Sequence, residues 1–147
     1  MERILVSINS QEVPTGAVYR AIHLAIRIKA AVYILQISNL GRDSPGKEAR
    51  RQFDSTAKEM LDSMIELARS EGVTVNRYVT QGDYMEEVVK FVKQENITLL
   101  VLGFPEKGSK ARWDFSKSTL EGILKRVDCA VELVQQKAPL FMSGEPQ

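Results

Sequence analysis

The segment from Gly103 to Thr119 gathers the residues of this chain best suited to holding an anion. Lys107, Lys110, Arg112 and Lys117 are interleaved with Gly103, Gly108 and the polar run Ser116-Lys117-Ser118-Thr119, which stands directly before a helical pattern. Glycines let backbone amides come close to a phosphate, a helix N-terminus presents several N–H groups at once, and cationic side chains can neutralise a triphosphate. Ser116 or Ser118 would serve equally well as a plain helix cap without a ligand, and a basic loop is at home in solvent. Trp113 and Phe115 can plug a crevice, stack on a base or belong to a partner interface, and we read them as a plug. Catalytic chemistry finds less support, because no paired carboxylates, metal-ligand cluster or nucleophile with its base stand out. His23 lies between Arg20 and Arg27 on the polar face of a helix and reads as a surface histidine. Cys129, the single cysteine, lies in an apolar strand and reads as a small buried hydrophobe.

The elements that must position these residues alternate along the chain. Strands are expected at Arg3 to Ile8, Ala31 to Ser38, Val73 to Thr80, Ile97 to Leu102 and Cys129 to Val134. Helices are expected at Glu12 to Ala30, Lys47 to Ser70, from Asp83 onward, and at Ser118 to Val127. In the first helix Ala17, Ala21, Leu24 and Ile28 form one stripe; in the second, Phe53, Ala57, Met60, Met64 and Leu67 do, with Gly72 as C-terminal cap. Asp83 caps the third with Glu86 three residues on, like a capping box, and Met85, Val88, Val89 and Val92 share its apolar face. The run Ile97 to Leu102, stopped by Gly103, is apolar enough for a strand covered on both faces. Val73, Val75 and Val79 alternate with Thr74, Asn76 and Thr80, which marks a half-exposed edge strand.

Five strands separated by four helices predict an α/β fold: an open five-stranded parallel sheet with helices on both faces and right-handed crossovers. With the Val73 strand at an edge and the first and fourth strands central, the strand order is 3-2-1-4-5. The order reverses between strands one and four, where such sheets place a ligand crevice. Ser7 to Ser10, Gly103 and its loop would line it, with Ser38 and Asn39 as neighbours.

With 147 residues and 44% hydrophobic content, one core and one domain are expected over residues 1–136, with a flexible tail at 137–147. Lys and Arg number 20 against 19 Asp and Glu, which argues against a nucleic-acid surface, so any anion site is local. No apolar run approaches the roughly 20 residues of a membrane span, and the chain opens directly into a strand. A cytoplasmic protein without membrane or nucleic-acid partners is expected.

Three segments carry a resemblance over residues 2–135. Ile4-Leu5-Val6-Ser7-Ile8-Asn9 resembles the opening strand of the universal stress proteins, which usually ends in a proline and an aspartate. Gly82-Asp83 with Glu86 resembles their Gly-Asp-x-x-Glu helix start, and Cys129-Ala130-Val131-Glu132-Leu133-Val134 resembles their closing Cys-Pro-Val-x-Val-Val strand. The resemblance implies a small cytosolic protein linked to survival under stress, dimeric through its last strand, in a family of which one branch binds ATP. That branch carries Gly-x-x-Gly, nine residues, then Gly and Ser or Thr. Here Gly103 matches the first position and Glu106 falls on the second; Ser116 falls on the third, or Lys117 if one residue is inserted, which places Ser118 on the Ser/Thr position. The insertion is the preferred alignment, and Gly108 is the replacement for the missing second glycine after a shift of two residues.

On this pattern Ser7, Asn9, Ser38, Gly103, Gly108, Lys117 and Ser118 are the candidate contacts for ATP or AMP with Mg²⁺. Asn9 stands where the family's aspartate contacts the nucleoside, and an amide can still hydrogen-bond a base edge or a ribose. The preferred expectation is a non-enzymatic regulatory or interaction module with weak or absent nucleotide binding and no required cofactor. The alternative is an adenine-nucleotide stress sensor or slow ATPase. Either would pair as a homodimer through the last strand, whose edge bearing Val131 and Leu133 is too apolar to leave bare, although Glu132 there is a counter-signal. The 104–117 loop is the place for a further protein partner.

Overall fold

In the computed structural model, which describes residues 1–9, 13–38, 47–105 and 117–136, strands and helices alternate without exception. They are β1 (Arg3–Asn9), α1 (Thr15–Ile28), β2 (Ala31–Ser38), α2 (Lys47–Ser70), β3 (Val75–Gln81), α3 (Tyr84–Gln94), β4 (Leu99–Pro105), α4 (Lys117–Arg126) and β5 (Ala130–Gln136). The strands form one parallel sheet in the order β3-β2-β1-β4-β5, as the pattern of elements predicts. Within α2, side chains are described from Lys58 onward.

Successive side chains of a strand point to opposite faces, so the central strands feed two cores. Ile4, Val6 and Ile8 pack beneath α1 and α2 with Val18, Ile22, Leu61 and Ile65. Leu5 packs on the other face with Val88, Val89 and Val92 of α3 and Ile123 of α4. Ser7 and Asn9 follow Leu5 on that second face. They are the two polar residues among the buried side chains of the described chain.

Several expected faces are rotated. In α1 the buried residues are Ala17, Val18, Ala21, Ile22 and Ala25, while Ile28 is 47% exposed because the helix ends there, with Lys29 in a left-handed cap. The helix begins at Thr15 instead of Glu12, following Pro14, whose fixed φ and missing N–H suit a helix start. In α2, Leu61, Ile65 and Ala68 make the buried stripe; Met60 and Met64 are half-buried at its flanks and Leu67 is exposed. Phe53 and Ala57 lie outside the described side chains. Gly72, at φ +85°, closes α2 as expected, with its N–H donating to the Arg69 carbonyl at 3.0 Å.

The edge strand departs most from its alternation. Val73 and Val75 are buried, but Val79 is 71% exposed. On the same side of β3 Arg77 reaches Asp62 of α2 at 2.7 Å, whereas the opposite side carries Tyr78 into an aromatic cluster with Tyr33 and Phe91. Cover at an edge is uneven, so alternation in the residue types does not translate into alternating burial. Cys129 stands one residue before β5 and is half-buried, and burial pushes its thiol pKa up.

Candidate functional site

The two strands at the order reversal separate toward their carboxyl ends. β1 pairs with β2 from Arg3–Ala31 through Asn9–Ile37, and β4 pairs with β5 from Leu99–Ala130 through Pro105–Gln136. Between β1 and β4, however, the ladder covers only Ile4–Leu99, Leu5–Leu100 and Val6–Val101. Both strands continue for several residues beyond their last shared pair. The two strands thus run on unpaired beyond Val6 and Val101, with Ser7, Ile8 and Asn9 on one and Leu102, Gly103 and Phe104 on the other, at the topological switch point where open α/β sheets place a ligand crevice.

Gly103 does not stop β4, contrary to expectation. The neighbouring β5 supplies Val134, Gln135 and Gln136 as partners for Gly103, Phe104 and Pro105, and the ladder carries the strand past the glycine. The residues read as a candidate anion loop follow Pro105, and most lie outside the described residues. Gly108, Glu106, Trp113 and Phe115 fall outside the described residues.

The polar residues of β1 have different surroundings. Ser7, 4% exposed, shares a hydrogen bond of 2.6 Å with the hydroxyl of Tyr84, the first residue of α3. Burial of that hydroxyl pushes the Tyr84 pKa up to about 12, with the Ser7 bond pulling it partly back, so the phenol is neutral at physiological pH. Asn9, 6% exposed, stands two residues further along the same face at the mouth of the crevice. Its amide has no hydrogen-bond partner among the described residues. A buried amide carries both a donor and an acceptor that require partners, which makes it the group in this crevice best suited to reading a polar ligand edge.

The remaining candidates stand at the rim. Ser38 ends β2, and its hydroxyl turns toward β3, 3.5 Å from the Thr80 carbonyl. Lys117 and Ser118 open α4 and are exposed, so α4 presents its N-terminal N–H groups on the carboxyl side of the sheet, as each crossover helix must. Thus Ser7 and Asn9 on β1 and Gly103 on β4 all lie beyond the last pair the two strands share, Lys117 and Ser118 open α4, and Ser38 leans away. A separate cavity of about 260 Å³ opens between β3 and α3, lined by Leu35, Tyr78, Thr80, Glu87 and Phe91 among others. Of the candidate residues, none lines it.

The helix that frames the site begins as the sequence predicts. Asp83 is the N-cap of α3, and its carboxylate accepts the N–H of Glu86 at 3.0 Å. The Glu86 carboxylate does not complete a capping box; it accepts from both terminal nitrogens of Arg126 at the end of α4, at 2.7 and 3.1 Å. That hydrogen bonding and the adjacent positive charge lower the Glu86 pKa. Tyr84 and Arg126 are site-framing residues that sequence reasoning missed. Tyr84 had a signal, since it stands four residues before Val88 and extends the apolar stripe of α3 by one turn.

A profile of the Universal stress protein family matches residues 1–135. The chain belongs to the universal stress protein family. Solved structures of this family share its fold. The chain superposes on universal stress protein UspA from Lactobacillus plantarum with a TM-score of 0.60 at 20% identity, covering 90% of this chain and 97% of that one. For a universal stress protein from Archaeoglobus fulgidus in complex with dAMP the TM-score is 0.59 at 17% identity, over 90% and 97% of the two chains. For a family member from Arabidopsis thaliana with AMP bound it is 0.58 at 16% identity, over 93% of each chain. Among curated proteins none matches the chain. At these identities the universal stress proteins share the arrangement of the sheet, and the contents of this crevice must be argued from its own residues.

Proposed function

We propose that this universal stress protein is a regulatory module, not a catalyst, which takes the nucleoside part of an adenine nucleotide weakly between β1 and β4. The observation that carries the reading is the end of the β1–β4 ladder at Val6–Val101, with Asn9 buried at the mouth of the opening. The dAMP and AMP complexes of two family members with the same fold support an adenine nucleotide as the occupant. Base or ribose recognition falls to the Asn9 amide. The phosphates receive little, because Glu106 stands where the ATP-binding pattern has its second glycine. A carboxylate 4 Å from a phosphate charge costs about 1 kcal/mol in water and several times that in a drier cleft.

Calorimetric titration of AMP and of ATP, each with and without Mg²⁺, tests this. Weak binding of both nucleotides at similar affinity, lost in Asn9→Leu and strengthened in Asn9→Asp, is the expected result. An ATP affinity tenfold or more above that of AMP, removed by Lys117→Glu, would replace it with the ATP-sensor reading, in which the basic loop holds the phosphates. Absence of binding up to millimolar ligand would leave a module acting through protein partners alone. In any of these roles the proposed working unit is a homodimer joined along β5.

A further inference from the structure

The first turn of α3 and the two residues before it touch three other elements of the molecule. Gly82 donates its N–H to the Ser38 carbonyl at the end of β2, 3.0 Å away. Asp83 fixes the turn by capping it. Tyr84 meets Ser7 near the end of β1 at 2.6 Å. Met85 lies so close to Gly122, in the middle of α4, that a Cβ on that glycine would collide with the Met85 sulfur. Glu86 holds Arg126, the last residue of α4, through two hydrogen bonds. Five consecutive residues therefore register β2, β1 and α4 against one capped helical turn.

The arrangement has a direction. From Gly122 back to Lys117, α4 runs five residues, about 7.5 Å, beyond its contact with Met85. The start of α4 is thus set by where Gly122 and Arg126 are held, while the Ser7–Asn9 end of β1, laddered to β2 through Asn9–Ile37, receives from Tyr84 a side-chain bond on its other face. We infer that residues 82–86 are a positioning block for the crevice, which couples the seat of α4 to the Ser7–Asn9 end of β1. Tyr84, Met85 and Glu86 act through their neighbours and touch no ligand. The coupling to ligand affinity rests on the nucleotide reading given above, whereas the mechanical coupling does not.

Arg126→Ala releases the far end of α4 without entering either core, and the charge-swapped pair Glu86→Arg with Arg126→Glu restores the contact. In ¹H–¹⁵N spectra of the ligand-free protein, Arg126→Ala is expected to move the amides of Ser7, Ile8 and Asn9 as well as those of α4. In a Tyr84→Phe background the same substitution should leave the β1 amides in place, because the link through Ser7 is gone. The charge swap should return them toward their wild-type positions. Shifts confined to α3 and α4 would overturn the proposal whether or not the protein binds nucleotide. Where AMP binds, Arg126→Ala should weaken it by about threefold, within the range that couplings between separated sites usually span. An unchanged AMP affinity in a variant with displaced β1 amides would overturn the link to the crevice and leave the nucleotide reading intact.

Discussion

Tyr84 and Ser7 form a part-buried hydroxyl pair against a layer built from Leu5, Leu35, Ile37, Val88 and Leu102. Removing the phenol oxygen in Tyr84→Phe leaves the Ser7 hydroxyl without its partner, at an expected cost of about 1–2 kcal/mol in urea unfolding. A double-mutant cycle with Ser7→Ala should recover part of that cost, and strict additivity would show that the two hydroxyls do not interact. Burial of the phenol also predicts a pH dependence, which the Ser7 bond partly offsets. The folded Tyr84 pKa, about 12, lies above the ordinary phenol value near 10, so the neutral form is the one that folding favours. The stabilisation is complete below about pH 10 and is lost as pH rises through about 12, on the order of 2–3 kcal/mol in all. The stability gap between the wild type and Tyr84→Phe should therefore close and reverse over that range; a gap that holds constant would place the phenol in water. At this scale the place of Ser7 and Asn9 at the end of β1, beside the order reversal, was legible in the sequence because the strand order follows from the element pattern. Tyr84 was not, because its partner lies 77 residues earlier in the chain and no local pattern pairs them.

The close approach of α3 and α4 is set by a residue with no side chain. Alanine in place of a helix-interior glycine normally gains about 1 kcal/mol, while overpacking costs about 1–3 kcal/mol. In Gly122→Ala the new methyl group meets only the flexible outer end of Met85, which can turn aside, so the helix gain is expected to be reduced in the wild-type background and full in a Met85→Ala background. The urea midpoints of the four proteins decide it, and an equal gain in both backgrounds would refute the packing account. The Asp83 cap is simpler: Asp83→Ala should cost about 1 kcal/mol, since the Glu86 N–H loses its acceptor. The elements themselves were mostly written in local pattern. β2 and α2 occupy the expected residues, and the strand order followed from which strand looked like an edge. The misread ends share a cause. β4 outruns Gly103 because β5 continues to offer it partners, and Val79 is exposed because an edge strand is covered on one part of its length only. Glu86, read as half of a capping box, turns to Arg126 instead, forty residues away. Each of these outcomes belongs to a neighbour that the local sequence does not contain.

For the whole molecule, the question is what covers the outer edge of β5. Among the described residues β5 pairs with β4 alone, and Leu133 on it is 41% exposed while Val131 and Val134 are half-buried. Glu132, the one charge on this strand, does not project from the edge as a guard against pairing. It is held on the α1 face by Arg20, whose Nε donates to it at 2.5 Å, and Val131 and Leu133 are left on the opposite face. An unpaired, largely apolar edge recruits another strand, and a second copy related by a twofold axis would bring the two β5 strands together antiparallel, each covering the other. Such a pairing would bear on the β1–β4 opening, because β4 both borders it and pairs with β5 through Gly103–Val134 and its neighbours. Sedimentation equilibrium at tens of micromolar is expected to give the dimer mass for the wild type. Leu133→Lys, which places two like charges near the axis, should shift it to monomer with its secondary structure intact. Arg20→Ala should free Glu132 to swing toward the edge and weaken association in a salt-dependent manner. A wild-type chain that sediments as a monomer at every concentration would refute the pairing, and the edge of β5 would then be the surface on which to seek a different strand.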